Sequence, residues 1–218
     1  MTCIFIPHRV KLFLLLTAIT LLIGLLLAFN FAGGDIIFTL NSTHISYFDY
    51  FFTALNYWPE PITIICIAII YGILKPYRVL VLLFNLILII PITFGLKHFL
   101  NKSRPIQEIG VKLATVLSRD VSFFVADNMS LPSGHATSAF ALALFCLYDP
   151  KCKHWILTMG LFTLAFSAAV SRIYLGHHYL IDVIAGAAVG TFLSFIITAF
   201  AEQELPHEVR NWRWNFSH

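Results

Sequence analysis

Six apolar runs, at about residues 12–32, 61–74, 79–96, 134–148, 155–171 and 183–201, leave this chain few folds open to it. Each is bounded by charges, prolines or glycines, and a helix needs about 20 such residues to cross a bilayer. The shorter runs can still belong to spanning helices, because a helix can extend past its apolar stretch where its polar end lines an enclosed site. Composition agrees: 59% of residues are hydrophobic, 11% are charged and mean hydropathy is +0.83, whereas soluble domains carry about 25% charged residues. The expected fold is all-α, a bundle of six transmembrane helices forming a single domain over residues 1–218, with its informative core at about 60–200.

The first run follows Arg9 and Lys11 but lacks a convincing cleavage site, so it reads as a retained signal anchor. The longer polar stretches, 33–60, 101–132 and 202 onward, read as a first loop, a second loop and a tail. Cys66 and Cys146 fall inside apolar segments and Cys3 and Cys152 in short polar ones, and no pair has metal or redox spacing. The net charge of +3 includes no polybasic run, which gives no reason to expect a nucleic-acid partner.

Six crossings put both termini on one side with loops 75–78 and 149–154. That side holds Arg9, Lys11, Lys75, Arg78, Lys151, Lys153, Arg210 and Arg213; the other holds Lys97, Lys102, Arg104, Lys112, Arg119 and Arg172. Lys97, Arg104 and Arg172 belong to chemical motifs and are set aside. The remaining eight to three places both termini in the cytoplasm by the positive-inside rule, and the motifs on the periplasmic or exterior face of the cell (inner) membrane.

Three polar stretches end apolar runs at that same face. In Lys97-His98-Phe99-Leu100-Asn101-Lys102-Ser103-Arg104-Pro105, Lys97 and Arg104 are two helical turns apart and should project from one face toward one anion. Pro105 is expected to end that helix. Arg offers phosphate a bidentate fork and Lys a point charge, although membrane-flanking cations that snorkel to head groups would look the same. In Pro132-Ser133-Gly134-His135, Ser133 suits a helix cap, Gly134 a tight turn with backbone N–H groups available to an anion, and His135 the first helical turn as a proton carrier. In the stretch from Ser171-Arg172 to His178 and Asp182, the i, i+4 spacing should stack the carboxylate under the imidazole on one helix, with Arg172 adding a third cation. His177, offset by five, should turn away from Asp182.

These motifs, Lys-x6-Arg-Pro, Pro-Ser-Gly-His and Ser-Arg-x5-His-x3-Asp in this order, resemble the signature of the type 2 phosphatidic acid phosphatase (PAP2) family, also called lipid phosphate phosphatases. The resemblance implies that His178 attacks phosphorus to give a phosphohistidine, that Asp182 orients it, and that His135 protonates the leaving oxygen. Lys97, Arg104, Ser133, Gly134 and Arg172 would hold the phosphate oxygens. It also implies a lipid substrate such as undecaprenyl pyrophosphate, phosphatidic acid, phosphatidylglycerophosphate or lipid A. Three fixed cations can spread charge over three equatorial oxygens, and no carboxylate cluster with metal-ligand spacing lies nearby, so neither metal nor cofactor is expected. Tyr47, Phe48, Tyr50, Phe51, Phe52, Tyr57 and Trp58 suit an interfacial segment, as an aromatic belt or a lipid gate; Phe123 and Phe124 raise the same question. A lipid phosphotransferase, a vanadium-dependent haloperoxidase and a non-catalytic lipid-binding protein are the competing readings.

Overall fold

A computed structural model of the protein describes residues 6–31, 33–42, 46–105, 108, 129–149 and 154–210. Every regular element among them is helical: α1 (His8–Asn30), α2 (Gly33–Ser42), α3 (Ser46–Asn56), α4 (Pro61–Leu74), α5 (Pro76–Leu100), α6 (Gly134–Leu147), α7 (Trp155–Tyr174), α8 (Leu180–Glu204) and the short α9 (His207–Arg210). Phe123, Phe124, Lys112, Arg119, Cys3, Cys152, Lys151, Lys153 and Arg213, weighed above, lie outside the described residues.

Four helices, α1, α5, α7 and α8, are long and apolar enough to cross a membrane, and a fifth span arises if Tyr50–Asn56 and Pro61–Leu74, bent by 51°, count as one. The protein is an integral membrane protein. The apolar runs all became helices, but α4 and α6 have only 14 residues each, about 21 Å of rise against a hydrocarbon core of about 30 Å. The stretch at 33–60, expected to be a loop, carries the helices α2 and α3. On α3, Tyr47, Phe48, Tyr50 and Phe51 are exposed, and Phe52 stacks on Tyr174 of α7 with ring centroids 4.4 Å apart.

Helix α6 is the central element. Small residues, Ala136, Ala139, Ala141 and Ala143, alternate with Phe140, Leu142, Leu144 and Phe145, and all eight are buried. A helix apolar on every face belongs inside its bundle. One core cluster joins α6 to α1, α7 and α8, and a second joins it to α4, α5 and α8. The outer helices point Leu22, Ile70 and Phe84 outward, as suits contact with lipid.

The two ends of the bundle differ in chemistry. At one end Arg78, fully buried at the start of α5, donates to Glu202 Oε1 of α8 at 2.5 Å and to the Phe145 carbonyl of α6, with its guanidinium over the Tyr71 and Phe145 rings. Lys75 pairs with Asp149 at 2.5 Å, and Arg9 Nε donates to the Leu147 carbonyl at 2.6 Å. A buried guanidinium needs this many partners to offset its desolvation. The opposite end collects the last turns of α5 and α7 and the first turns of α6 and α8, where all three motifs lie.

A close approach of α8 to α6 sets the geometry of that second end. A Cβ added to Gly186 would lie 2.4 Å from the Ser133 carbonyl oxygen, and one added to Gly190 would lie 2.1 Å from that of Thr137. These glycines serve packing within the bundle and fix α8 against the start of α6. Gly190→Ala must push backbone from backbone, since no side chain can yield. A loss of at least about 2 kcal/mol is expected, at the upper end of overpacking costs, seen as a lower unfolding midpoint in detergent together with reduced activity.

Candidate active site

Helix α5 stops at Leu100, where Asn101 adopts a left-handed conformation at φ 40° and its N–H closes on the Lys97 carbonyl at 2.9 Å. Asn tolerates this region better than most residues. Lys97 and Arg104 therefore do not share one helix, contrary to the reading from their spacing. Lys97 sits on the last helical turn and Arg104 arrives on the irregular segment 101–104. Pro105 does not end α5 either, since the helix stops at Leu100; beyond it the Glu108 N–H reaches the Arg104 carbonyl at 3.3 Å. The Lys97 ammonium donates to the Met129 carbonyl at 2.6 Å, and its chain passes Gly134.

Ser133 caps α6 as its residue type predicted, accepting from the Ala136 N–H at a long 3.5 Å. Its own N–H is committed to the Asp182 carbonyl at 2.8 Å, which ties the start of α6 to that of α8. Gly134 is the first residue of α6 and His135 the second. His135 Nε2 lies 2.7 Å from Glu60 Oε1, a partner that no motif indicated.

Helix α7 carries Arg172 in its last turn, and a turn through Gly176, at φ 68°, returns the chain to α8. The N–H groups of His177 and His178 both donate to the Arg172 carbonyl, at 3.0 and 3.1 Å. His178 thus precedes the α8 N-cap, Tyr179, and is not on the helix with Asp182. The i, i+4 pair is close, but Nδ1 to Oδ2 is 3.7 Å, too long for a hydrogen bond. Ser130 fills the gap: its Oγ donates to Asp182 Oδ2 at 2.5 Å and lies 3.3 Å from His178 Nδ1. Asp182, fully buried, also accepts from the Tyr179 N–H at 3.0 Å and from Lys102 Nζ at 2.9 Å. It serves at once as helix cap, counter-ion and anchor for the Ser130–His178 pair.

The three motifs converge electrostatically on His178. Burial first, and then the positive field of Arg172, Arg104 and Lys97, push its imidazole down to about 3 against the opposing pull of the nearby Asp182 carboxylate. The ring is neutral at neutral pH. His177 is likewise pushed down to about 2, by burial and then by Arg172 and His178. Arg172 Nη1 donates to Asn56 Oδ1 at 2.5 Å, so the junction after α3 reaches the site through Asn56 and Glu60. Among the described residues, no group of three or more His, Cys, Asp and Glu side chains is arranged to hold a metal ion.

The depressed His178 value sets an acid-side expectation. In the unfolded chain the imidazole takes up its proton near 6.5, whereas in the fold it resists protonation to about 3. Its contribution is fully present above pH 6.5 and is lost as pH falls toward 3, since the unfolded state binds more protons there. The unfolding midpoint in detergent should fall as pH drops from 7.5 to 4.5, and His178→Gln should lessen that dependence.

A family model described as the PAP2 superfamily matches residues 78–205, which include every one of these motif residues. The chain belongs to the PAP2 superfamily. Among curated relatives, it is 33% identical over 82 residues to undecaprenyl-diphosphatase BcrC of Bacillus subtilis, covering 37% of this chain and 40% of that protein. It is 32% identical over 168 residues to the lipid A 4'-phosphatase of Bacteroides thetaiotaomicron, covering 70% of this chain and 69% of that protein. Among solved structures, Aquifex aeolicus LpxE superposes with a TM-score of 0.61 at 26% identity, over 75% of this chain and 92% of LpxE. The transmembrane PAP2 type phosphatidylglycerolphosphate phosphatase of Bacillus subtilis superposes at 0.54 and 19% identity, over 92% of this chain and 99% of that one, a likeness of fold.

Proposed function

We propose that the protein is a lipid phosphate phosphatase that hydrolyses a phosphomonoester or diphosphate at the membrane surface through a phosphohistidine on His178. One observation carries this reading: among the described residues the His178 ring meets Ser130 Oγ at 3.3 Å on its Nδ1 side, with Asp182 Oδ2 behind that hydroxyl. The proton then resides on Nδ1, held by Ser130 and Asp182, and the Nε2 lone pair is the nucleophile.

In the first step Nε2 bonds to phosphorus while the bond from phosphorus to the lipid oxygen breaks, and His135 gives that oxygen its proton. In the second, water attacks phosphorus, the N–P bond breaks, and His135 takes a proton from the water, which returns it to its starting form. Lys97, Arg104 and Arg172 neutralise the non-bridging oxygens, supported by Ser133 and the Gly134 backbone. Spreading charge in this way is most of what phosphoryl transfer asks of a protein. No metal or cofactor has a part in this scheme.

The lipid assignment rests on the site's place at one end of an apolar bundle, beside the exposed aromatics of α3, and on relatives whose names specify lipid-linked phosphates. In this reading α1, α4, α5, α6, α7 and α8 make six crossings in the cell (inner) membrane. Both termini are cytoplasmic, with the Arg78 end, and the His178 end faces the periplasm or exterior. The test is phosphate release by detergent-purified protein, in chelator, from undecaprenyl diphosphate, phosphatidic acid, phosphatidylglycerophosphate and lipid A. Release from at least one is expected. No release from any, with vanadate still bound, would point to a transferase or a binding protein.

A further inference from the structure

Glu60 is the sole acidic residue between Asp49 and Glu108, and it stands where α4 begins. An acidic N-cap ordinarily turns its carboxylate onto the N–H groups of its own helix. Glu60 has the extended backbone of an N-cap, with φ −73° and ψ 155°, yet makes no such bond. It reaches across the bundle instead, to His135 Nε2 at 2.7 Å. The backbone that presents it is stiff: Pro59 and Pro61 flank it, Pro59 is buried, and Trp58 packs against both core clusters. Both partners are about a third exposed, at 30% and 33%, so as a structural ion pair this contact would add little to stability. Its chemistry at the reacting end of the molecule is what distinguishes it.

We infer that Glu60 is a positioning residue for His135: its carboxylate holds the Nε2–H, fixes the plane of the ring, and leaves Nδ1 to exchange the leaving-group proton. This rests on the phosphatase reading above. The site then contains two carboxylate–imidazole pairs with opposite tasks. Burial and the neighbouring cations keep the His178 ring neutral while Ser130 and Asp182 hold its proton on Nδ1 and leave Nε2 bare for attack; Glu60 instead favours the charged ring that a proton donor needs. Among the described residues, the charged and titratable groups facing His135 are Glu60 before α4, Arg172 at the end of α7, Arg104 after α5, and His177. Two of these are cations that oppose its protonation. Glu60 is the carboxylate among them.

The test compares wild type, Glu60→Gln and Glu60→Asp on phosphatidic acid and undecaprenyl diphosphate in mixed micelles, with vanadate binding measured on each protein. Glu60→Gln is expected to lower kcat by about 10- to 100-fold with KM within about threefold and vanadate affinity intact. The alkaline limb of its kcat–pH profile should move to lower pH, because the imidazolium has lost its anionic neighbour. Glu60→Asp should recover part of kcat. An unchanged kcat and unchanged alkaline limb in Glu60→Gln would overturn the inference, and so would a loss of vanadate binding that parallels the loss of turnover, which would make the contact structural. Wild-type protein that releases no phosphate from any lipid would instead defeat the phosphatase reading, and the inference with it.

Discussion

His178→Ala is expected to reduce phosphate release by at least about 10³-fold, the scale on which removal of a covalent nucleophile acts, and to abolish a phosphoenzyme that wild type forms with labelled lipid. The alanine variant should still fold. The turn at 175–179 is held by the His177 and His178 N–H groups on the Arg172 carbonyl, and alanine keeps both. It should also still bind vanadate, because Lys97, Arg104 and Arg172 remain. Retention of a tenth or more of wild-type turnover, or an acid-labile phosphoenzyme that persists in the variant, would move the nucleophile elsewhere. His177 would be the first place to look, since it lies in the same positive field.

What the sequence made legible, and what it hid, divides by distance along the chain. Hydropathy is a local property, so the runs at 61–74 and 134–148 anticipated α4 (Pro61–Leu74) and α6 (Gly134–Leu147) almost to the residue. Capping is local too, and Ser133 caps α6 as its type suggests. The spacing of Lys97 and Arg104 suggested a common anion by way of a continuous helix that Asn101 interrupts, yet the chain after Asn101 still delivers Arg104 to the field around His178. The i, i+4 pair was legible as proximity but not as mechanism, because the atom that joins its members belongs to Ser130.

The partners the sequence did not disclose come from far away. Ser130 meets His178 across 48 residues, Glu60 meets His135 across 75, Lys102 meets Asp182 across 80, and Arg172 meets Asn56 across 116. No periodicity carries such information. Two weaker signals were present: Ser130 directly precedes the Leu131-Pro132-Ser133 turn, and Glu60 is a lone acid between two prolines at the mouth of an apolar run, where an ionisable group is costly unless it is used. The exposed aromatics of α3 were visible as composition, but whether they form a helix depended on packing against α7.

Asp182→Asn should be nearly as damaging as loss of His178, lowering kcat by about 10²- to 10⁴-fold while KM changes little, as expected when the wrong imidazole tautomer is stabilised in a correctly shaped site. The carboxylate accepts from Ser130 and the Tyr179 N–H through Oδ2 and from Lys102 through Oδ1. An amide of the same shape must turn its NH₂ toward one of these sides. If it faces Lys102, two donor groups meet and Lys102 is driven away; if it faces Ser130, the hydroxyl accepts from the amide, loses the acceptor of its own O–H, and turns that O–H onto His178 Nδ1. The second arrangement moves the ring proton to Nε2, the nitrogen that has to attack. Asp182→Asn should therefore give no burst of phosphoenzyme, even though vanadate binds, and Ser130→Ala in the same assay should show a smaller loss because the carboxylate that favours the correct tautomer is still there. A rapid phosphoenzyme burst in Asp182→Asn, equal to that of wild type, would show that His178 needs no orienting carboxylate and would leave Asp182 the role of helix cap.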